Sequence, residues 1–416
     1  MSVCKFNSII GTIIRAALIL TAVSLCLAVF SGCSSVGGSS APILGDFSSE
    51  RSPVLFNTSP LSTIYGDALP SISAVSAILI DADSGTVIGA KAPDVKMSMA
   101  STTKIMTALV AIESADISQK VSVSPCAVGV EGSSIYLYEG ERLTLEELLY
   151  AMLLESANDA AAAIAIAVGG SIEDFAALMN EKANDLGLES THFTNPHGLD
   201  DGEHYTTARE LAIIAAEAMR NETFRKIVST YKKTIPLNET EGVRLLINHN
   251  KLLKGYDGAV GIKTGYTKKS GRCLVSAAER DGVRLICVTL SAPDDWQDHK
   301  TLLDFGFSSY ESRLLCEDGD FKYILPIIGG DKEYVTLTNK GELRVTLPKD
   351  APDIKATVEL FPFEYAPVSK GEILGKVVYK VGVRTVAEMP LYSEFSSDRT
   401  IYKKSLIEKI TSLFYK

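Results

Sequence analysis

Residues 157–168, ANDAAAAIAIAV, constrain the fold more than any other stretch, because beyond Asn158 and Asp159 they carry no polar side chain. Such a helix is apolar all round and has to be enclosed by other elements. Helical periodicity supplies the neighbours, over 101–114, about 144–155, 171–186 and 207–220. Strand patterns bracket this block. Before it, AVSAILIDADSGTVIGAK reads as two strands about an Asp83-Ser84-Gly85 turn. After residue 230 come GAVGIKTG and the pair RCLVSAAER and VRLICVTLS, joined by Asp281-Gly282, followed by a helix near 295–306. At 416 residues and 46% hydrophobic content the chain can bury a large core and form two domains or more.

The hairpin also bears on the cysteines. If Arg280 pairs with Val283, Cys287 faces Ser276, whose side chain points away from that of Cys273, so these two thiols should not bond. Cys4, Cys26 and Cys33 lie in or at the end of the leader and Cys126 and Cys316 stand apart, a spacing unlike a disulfide framework.

The two ends differ from the middle. Lys5 and Arg15 flank a start without acids, and residues 16–30, AALILTAVSLCLAVF, form 15 uncharged positions, the length of a signal-peptide core and short for a membrane span. FSGCSS follows, with small residues before Cys33. Residues 34–73, rich in Ser, Gly and Pro, read as a tether. From about 313 short alternating segments broken by Gly, Pro and Asp predict a small antiparallel all-β domain to 394. Residues 395–416 place Tyr402, Leu406, Ile410, Leu413 and Phe414 along one helical face, as an amphipathic tail helix would. The net charge of −10 supplies no field for nucleic acid.

Three segments carry residues able to do chemistry. MSMASTTK opens the 101–114 helix with Ser101 and Lys104 one turn apart on one face. Serine caps helices well, yet a serine hydroxyl also becomes a nucleophile when a lysine of depressed pKa takes its proton. LLESANDAA places Ser156 and Asn158 before the apolar helix, either as cap residues or as a proton carrier to a leaving amine and an amide that holds a peptide group. GAVGIKTGYT ends a strand with Lys263, Thr264 and Gly265: a cation to depress Lys104, a donor for a carboxylate, and a residue whose missing β-carbon lets a substrate backbone approach.

SxxK, SxN and KTG, in this order and on these elements, resemble the penicillin-binding serine D-Ala-D-Ala carboxypeptidases of the low-molecular-mass group (peptidase family S11), which share these motifs with serine β-lactamases. The likeness covers about 70–310 and includes FTNPHGLDDGEHYTTARELA and NHNKLL. It implies an α/β (α+β) fold with an antiparallel sheet and a helical subdomain at 74–312, followed by the β-rich domain at 313–394. It also implies the roles. Ser101 attacks the carbonyl between two D-alanines, with Lys104 as general base. Ser156 passes a proton to the departing D-alanine, and Asn158 binds the substrate amide. Lys263 lowers the Lys104 pKa, and Thr264 grips the terminal carboxylate. The oxyanion hole is the N–H groups of Ser101 and Tyr266. The implied partners are peptidoglycan stem peptides, with β-lactams as covalent inhibitors. No metal or other cofactor is expected.

FSGC resembles the lipobox of bacterial lipoproteins, which makes Cys33 the lipidated residue and places the protein on the extracytoplasmic face of the membrane. Many relatives have His where this chain has Tyr266. The arginine that supports carboxylate binding in some relatives is missing from APDDWQDH, with Arg272 as a substitute. His197 and His204, seven residues apart with Asp200 and Glu203 between them, form a poor metal pattern. Three other readings compete: a β-lactamase, whose Glu-x-x-x-Asn loop is absent from GLESTHFTNPHGLDDG, a sensor or inactive homologue that acylates without turnover, and a scaffold lipoprotein. Hydrolysis of substrate by the purified protein separates the enzyme readings from the last two.

Overall fold

The computed structural model describes residues 69–237 and 242–400. The signal sequence, Cys33, nearly all of the tether and residues 401–416 lie outside the described residues. Strands β1 (Ser76–Asp81) and β2 (Val87–Lys91) lead into a 3-10 turn, Ala100–Thr103, and helix α1 (Lys104–Ser114). A short ribbon, β3 (Lys120–Ser122) and β4 (Arg142–Thr144), precedes α2 (Leu145–Leu154), α3 (Asn158–Gly169), α4 (Ile172–Asp185), α5 (Ala208–Arg220) and α6 (Glu222–Ser229). A second ribbon, β5 (Lys232–Pro236) and β6 (Val243–Ile247), and the one-turn α7 (Leu252–Gly255) lead to β7 (Ala259–Thr267), β8 (Gly271–Arg280), β9 (Val283–Leu290) and α8 (Asp295–Ser309).

The central sheet is antiparallel in the order β2-β1-β9-β8-β7, which leaves β7 at an edge. Its period-two alternation sorts side chains into two cores. Ile78, Ile80, Ile286 and Val288 join Ile105 and Leu109 of α1 on one face, while Leu79, Leu285 and Cys287 join Leu302 and Leu303 of α8 on the other. Helix α3 is enclosed as its composition requires: Ala160 through Ala165 are at most 2% exposed. Arg280 pairs with Val283 and Ser276 with Cys287, the expected register, with Asp281 and Gly282 at φ +49° and +79° as a tight hairpin demands. The described cysteines 126, 273, 287 and 316 are free thiols.

The all-β domain begins earlier than expected, since β10 (Tyr310–Cys316) follows directly on α8. β10 pairs with β13 (Leu343–Pro348). A six-stranded sheet combines β11 (Lys322–Ile328), β12 (Tyr334–Thr338), β14 (Ile354–Leu360), β15 (Glu364–Tyr365), β16 (Ile373–Val381) and β17 (Arg384–Ser393), in the order β14-β16-β17-β12-β11-β15.

Two expected boundaries move. The tether ends before residue 73: Leu69 and Ile72 pack on the α8 core, and the Ser73 and Ala74 amides donate to Asp298 at 2.8 Å each. Residues 395–400 are not helical. Ser397 bridges Val368 and Arg399 bridges Gly330, because the polar backbone of this segment finds partners on the β domain. Among the described residues no single helix is long and apolar enough to cross a membrane.

Candidate active site

Helix starts in this fold separate caps from other uses of serine. Ser171 and Thr207 accept from Asp174 and Glu210 amides to cap α4 and α5, and Thr144 and Glu147 form a reciprocal capping box on α2. The two helices that follow the serine motifs lack such a bond. The α1 N-cap is Thr103 and the α3 N-cap is Ala157, neither with a side-chain cap bond. Ser101 sits instead inside the 3-10 turn, and Ser156, 6% exposed, is held at φ +59°, a conformation a non-glycine residue keeps only where its surroundings impose it.

Lys104 is the centre of the site. Its side chain is fully buried, and Nζ lies 2.9 Å from Ser101 Oγ, 2.7 Å from Asn158 Oδ1 and 2.6 Å from the His197 carbonyl. Burial holds its pKa well below the ordinary lysine value, the Lys263 charge lowers it further, and Asp159 opposes both. A neutral amine has two N–H donors and one lone pair. The carbonyl oxygens of Asn158 and His197 can only accept, so in the neutral form they take the two donors and leave the lone pair for the Ser101 hydroxyl, to which the charged form donates. That is the arrangement of a base ready to receive the serine proton.

Asn158 is braced on three sides. Its Oδ1 holds Lys104, its Nδ2 donates to the Glu131 carbonyl at 2.5 Å, and its backbone N–H donates to the Ser133 carbonyl at 2.7 Å. The neighbouring carboxylate of Asp159 ties the same loop down, accepting from Ser134 Oγ at 2.6 Å and the Leu137 amide at 3.0 Å. A primary amide has a second N–H, which leaves Asn158 one further donor beyond the bond to Glu131.

The edge strand β7 closes the site. A β-carbon added to Gly265 would sit 3.1 Å from the Ser101 amide nitrogen, so the strand meets the Ser101 turn at the residue without a side chain. Lys263 is 1% exposed, its Nζ donates to the Thr264 carbonyl at 2.9 Å, and burial lowers its pKa to about 7. Tyr266 projects outward, 66% exposed, and faces Arg272 across the ladder. Arg272 Nε donates to Asp295 Oδ1 at 2.9 Å.

Hydrogen bonds thus join Ser101, Lys104 and Asn158 directly, and β7 brings Lys263 to Gly265 against them, while Ser156 stands two residues before Asn158. Sequence reasoning missed the contribution of residues 195–198. His197 enters as a carbonyl, and its neighbour Gly198, at φ +86°, abuts the Ala100 carbonyl so closely that a β-carbon would lie 1.9 Å away. It also missed Asp159 as the anchor of the 131–137 loop. The signals were present, Gly after His and Asp after Asn, but their partners lie 22–98 residues away.

The sequence model described as D-alanyl-D-alanine carboxypeptidase matches residues 64–294, and that of the penicillin-binding protein 5 C-terminal domain matches residues 310–397. The D-alanyl-D-alanine carboxypeptidase DacF of Bacillus subtilis is 36% identical over 328 residues, 76% of this chain and 84% of that protein. The D-alanyl-D-alanine carboxypeptidase DacA of Haemophilus influenzae is 32% identical over 353 residues, 81% of this chain and 88% of that protein. The crystal structure of penicillin-binding protein 5 from Haemophilus influenzae superposes with a TM-score of 0.68 at 30% identity, covering 80% of this chain and all of that one. With two sequence models covering its described domains and these relatives along most of its length, the chain belongs to the D-alanyl-D-alanine carboxypeptidase family, peptidase family S11.

Proposed function

We propose that the protein is a serine-type D-Ala-D-Ala carboxypeptidase that removes the terminal D-alanine from peptidoglycan stem pentapeptides through an acyl-enzyme, and that β-lactams acylate the same serine. The observation that carries this reading is the buried Lys104 amine set between Ser101 Oγ and two acceptor oxygens. Lys104 takes the Ser101 proton as Oγ bonds to the penultimate D-Ala carbonyl carbon. The resulting oxyanion lies on the Ser101 and Tyr266 N–H groups. Collapse breaks the C–N bond, and the departing D-alanine amine receives a proton through Ser156, leaving an ester on Oγ. Water then attacks that ester and returns the proton to the serine. Thr264 receives the terminal carboxylate beside the Lys263 charge, and Asn158 the stem amide.

Incubating purified protein with a synthetic stem pentapeptide and weighing the products tests this. Loss of one alanine from the C-terminus is expected. An unchanged peptide beside a persistent penicillin adduct would make the protein a sensor instead.

We further propose that it works on the extracytoplasmic face of the membrane, held by a lipid on Cys33, with the tail beyond residue 400 as a second membrane contact. The small residues before Cys33, directly after an uncharged core, support this reading. An acyl chain contributes roughly 0.8 kcal/mol per buried methylene. Cys33→Ala should therefore release the protein from membranes or leave it unprocessed, and metabolic labelling with a fatty acid should lose its signal. Equal label in both proteins would overturn the anchor.

A further inference from the structure

His204 is buried beside the nucleophile turn, yet none of the steps above uses it. Both of its ring nitrogens are engaged. The Thr194 amide donates to Nδ1 at 3.1 Å, and because an amide N–H can only donate, Nδ1 must carry the lone pair. The proton is then on Nε2, which lies 2.8 Å from Thr103 Oγ1 and donates to it. Thr103 Oγ1 in turn donates to the Ala100 carbonyl at 2.8 Å. Burial lowers the His204 pKa to about 4, so the ring is neutral near pH 7 and this order of donors is the one present.

The chain of bonds ends on the peptide that matters most for acylation. The Ala100 carbonyl and the Ser101 N–H belong to one planar peptide unit, and the peptide is trans, so the two groups point in opposite directions. Fixing the carbonyl toward Thr103 fixes the Ser101 N–H on the opposite side of the peptide, and a β-carbon added to Gly265 of β7 would lie 3.1 Å from that nitrogen. Ala100 is at φ +47°, a conformation an alanine leaves readily unless it is held. Gly198 closes the other side of the same carbonyl. A hydrogen bond accepted by a peptide carbonyl also polarises its N–H and strengthens it as a donor.

We propose that His204, acting through Thr103, is a positioning residue for the reaction: the relay from His204 Nε2 through the Thr103 hydroxyl to the Ala100 carbonyl sets the direction and donor strength of the Ser101 N–H that receives the oxyanion. The inference rests on Ser101 being the nucleophile.

The test measures acylation by a fluorescent penicillin in the full-length enzyme, separating the binding constant from the first-order acylation constant. Thr103→Val keeps the shape and removes the relay hydroxyl. It should slow the acylation constant by about 10- to 100-fold, below the loss of about 100- to 1,000-fold when an oxyanion donor is deleted outright, because the N–H is loosened and not removed. Binding should change by less than about twofold, since ground-state contacts are untouched. Thr103→Ser should recover most of the loss. His204→Gln, whose amide nitrogen reaches the Nε2 position and can donate to Thr103, should acylate faster than His204→Asn, which reaches only the Nδ1 position. A wild-type acylation constant in Thr103→Val would overturn the relay. So would equal losses in the Gln and Asn variants, or a defect confined to binding. If Thr103→Val does not fold, the Gln and Asn pair decides alone. Failure of the underlying reading shows separately, as a wild-type enzyme that carries no adduct on Ser101, and that result also removes the relay.

Discussion

Ser101→Ala is expected to abolish release of D-alanine and covalent labelling by penicillin while leaving the protein folded. If the serine were a helix cap, its loss would cost about 1 kcal/mol of stability and leave the chemistry intact. The structure removes that role: α1 starts from Thr103, no side-chain bond caps it, and the partner of Ser101 Oγ is Lys104 Nζ. Alanine there deletes one hydrogen bond to an amine that keeps its bonds to Asn158 and His197, so the unfolding free energy should move by under about 1 kcal/mol. The chemistry should fall by roughly 10⁴-fold or more, since the remaining groups have no oxygen to place on the carbonyl carbon. Intact mass after incubation with benzylpenicillin, followed by peptide mapping, is the measurement. An adduct on any other residue, or one that survives in Ser101→Ala, would overturn the assignment of the nucleophile. A collapse in thermal stability would show that the serine holds the turn together.

Much of this was legible in the sequence, for reasons that particular residues make plain. The run Ala160–Ala165 has to be buried whatever surrounds it, and it is. Asp281-Gly282 fixes a two-residue hairpin, and with it the register that keeps Cys273 and Cys287 apart, because turn geometry is local. The helices beginning near 145, 172 and 208 are legible as helical periodicity, and in the structure side-chain caps bonding three residues ahead fix where each begins. The same rule could not decide Ser101, since a serine before an apolar helix looks alike whether its oxygen turns toward the helix amides or, as here, toward a lysine.

What escaped was mostly backbone. His197 supplies a carbonyl to Lys104, and Gly198 supplies the absence of a side chain beside Ala100; neither contact is encoded in residue type at a fixed spacing. His204 looked like half of a poor metal pattern, whereas burial beside Thr103 gives it a hydrogen-bonding role. The apolar periodicity of the tail lies past residue 400, whereas residues 395–400 pair with the β domain because their backbone groups have partners within reach.

Lys263→Met, which keeps the length of the side chain and removes its charge, should move the acidic limb of the acylation profile to higher pH. The sign follows from the base. With Lys104 as the proposed base, acylation needs its amine neutral, so the rate should rise with pH as Lys104 loses its proton and be lost as pH falls through that pKa. Burial is the largest cause of the depressed Lys104 pKa and the Lys263 charge the second. Removing the charge leaves the burial, so the pKa should rise only part of the way toward that of a free lysine, and the rate at neutral pH should fall accordingly. Lys263 itself has its pKa lowered to about 7 by burial, so its charge is present below that pH and fades above it. The two amines therefore titrate as a pair, and the wild-type profile should be a bell whose alkaline limb belongs to losing the second cation. That alkaline limb should flatten in Lys263→Met, whereas Lys104→Met should show no acylation at any pH. The acylation constant with penicillin, measured from about pH 5 to pH 10, decides the matter. An acidic limb that stays in place or moves downward would mean that Lys263 does not set the charge state of Lys104, and its contribution would then be confined to holding the substrate carboxylate.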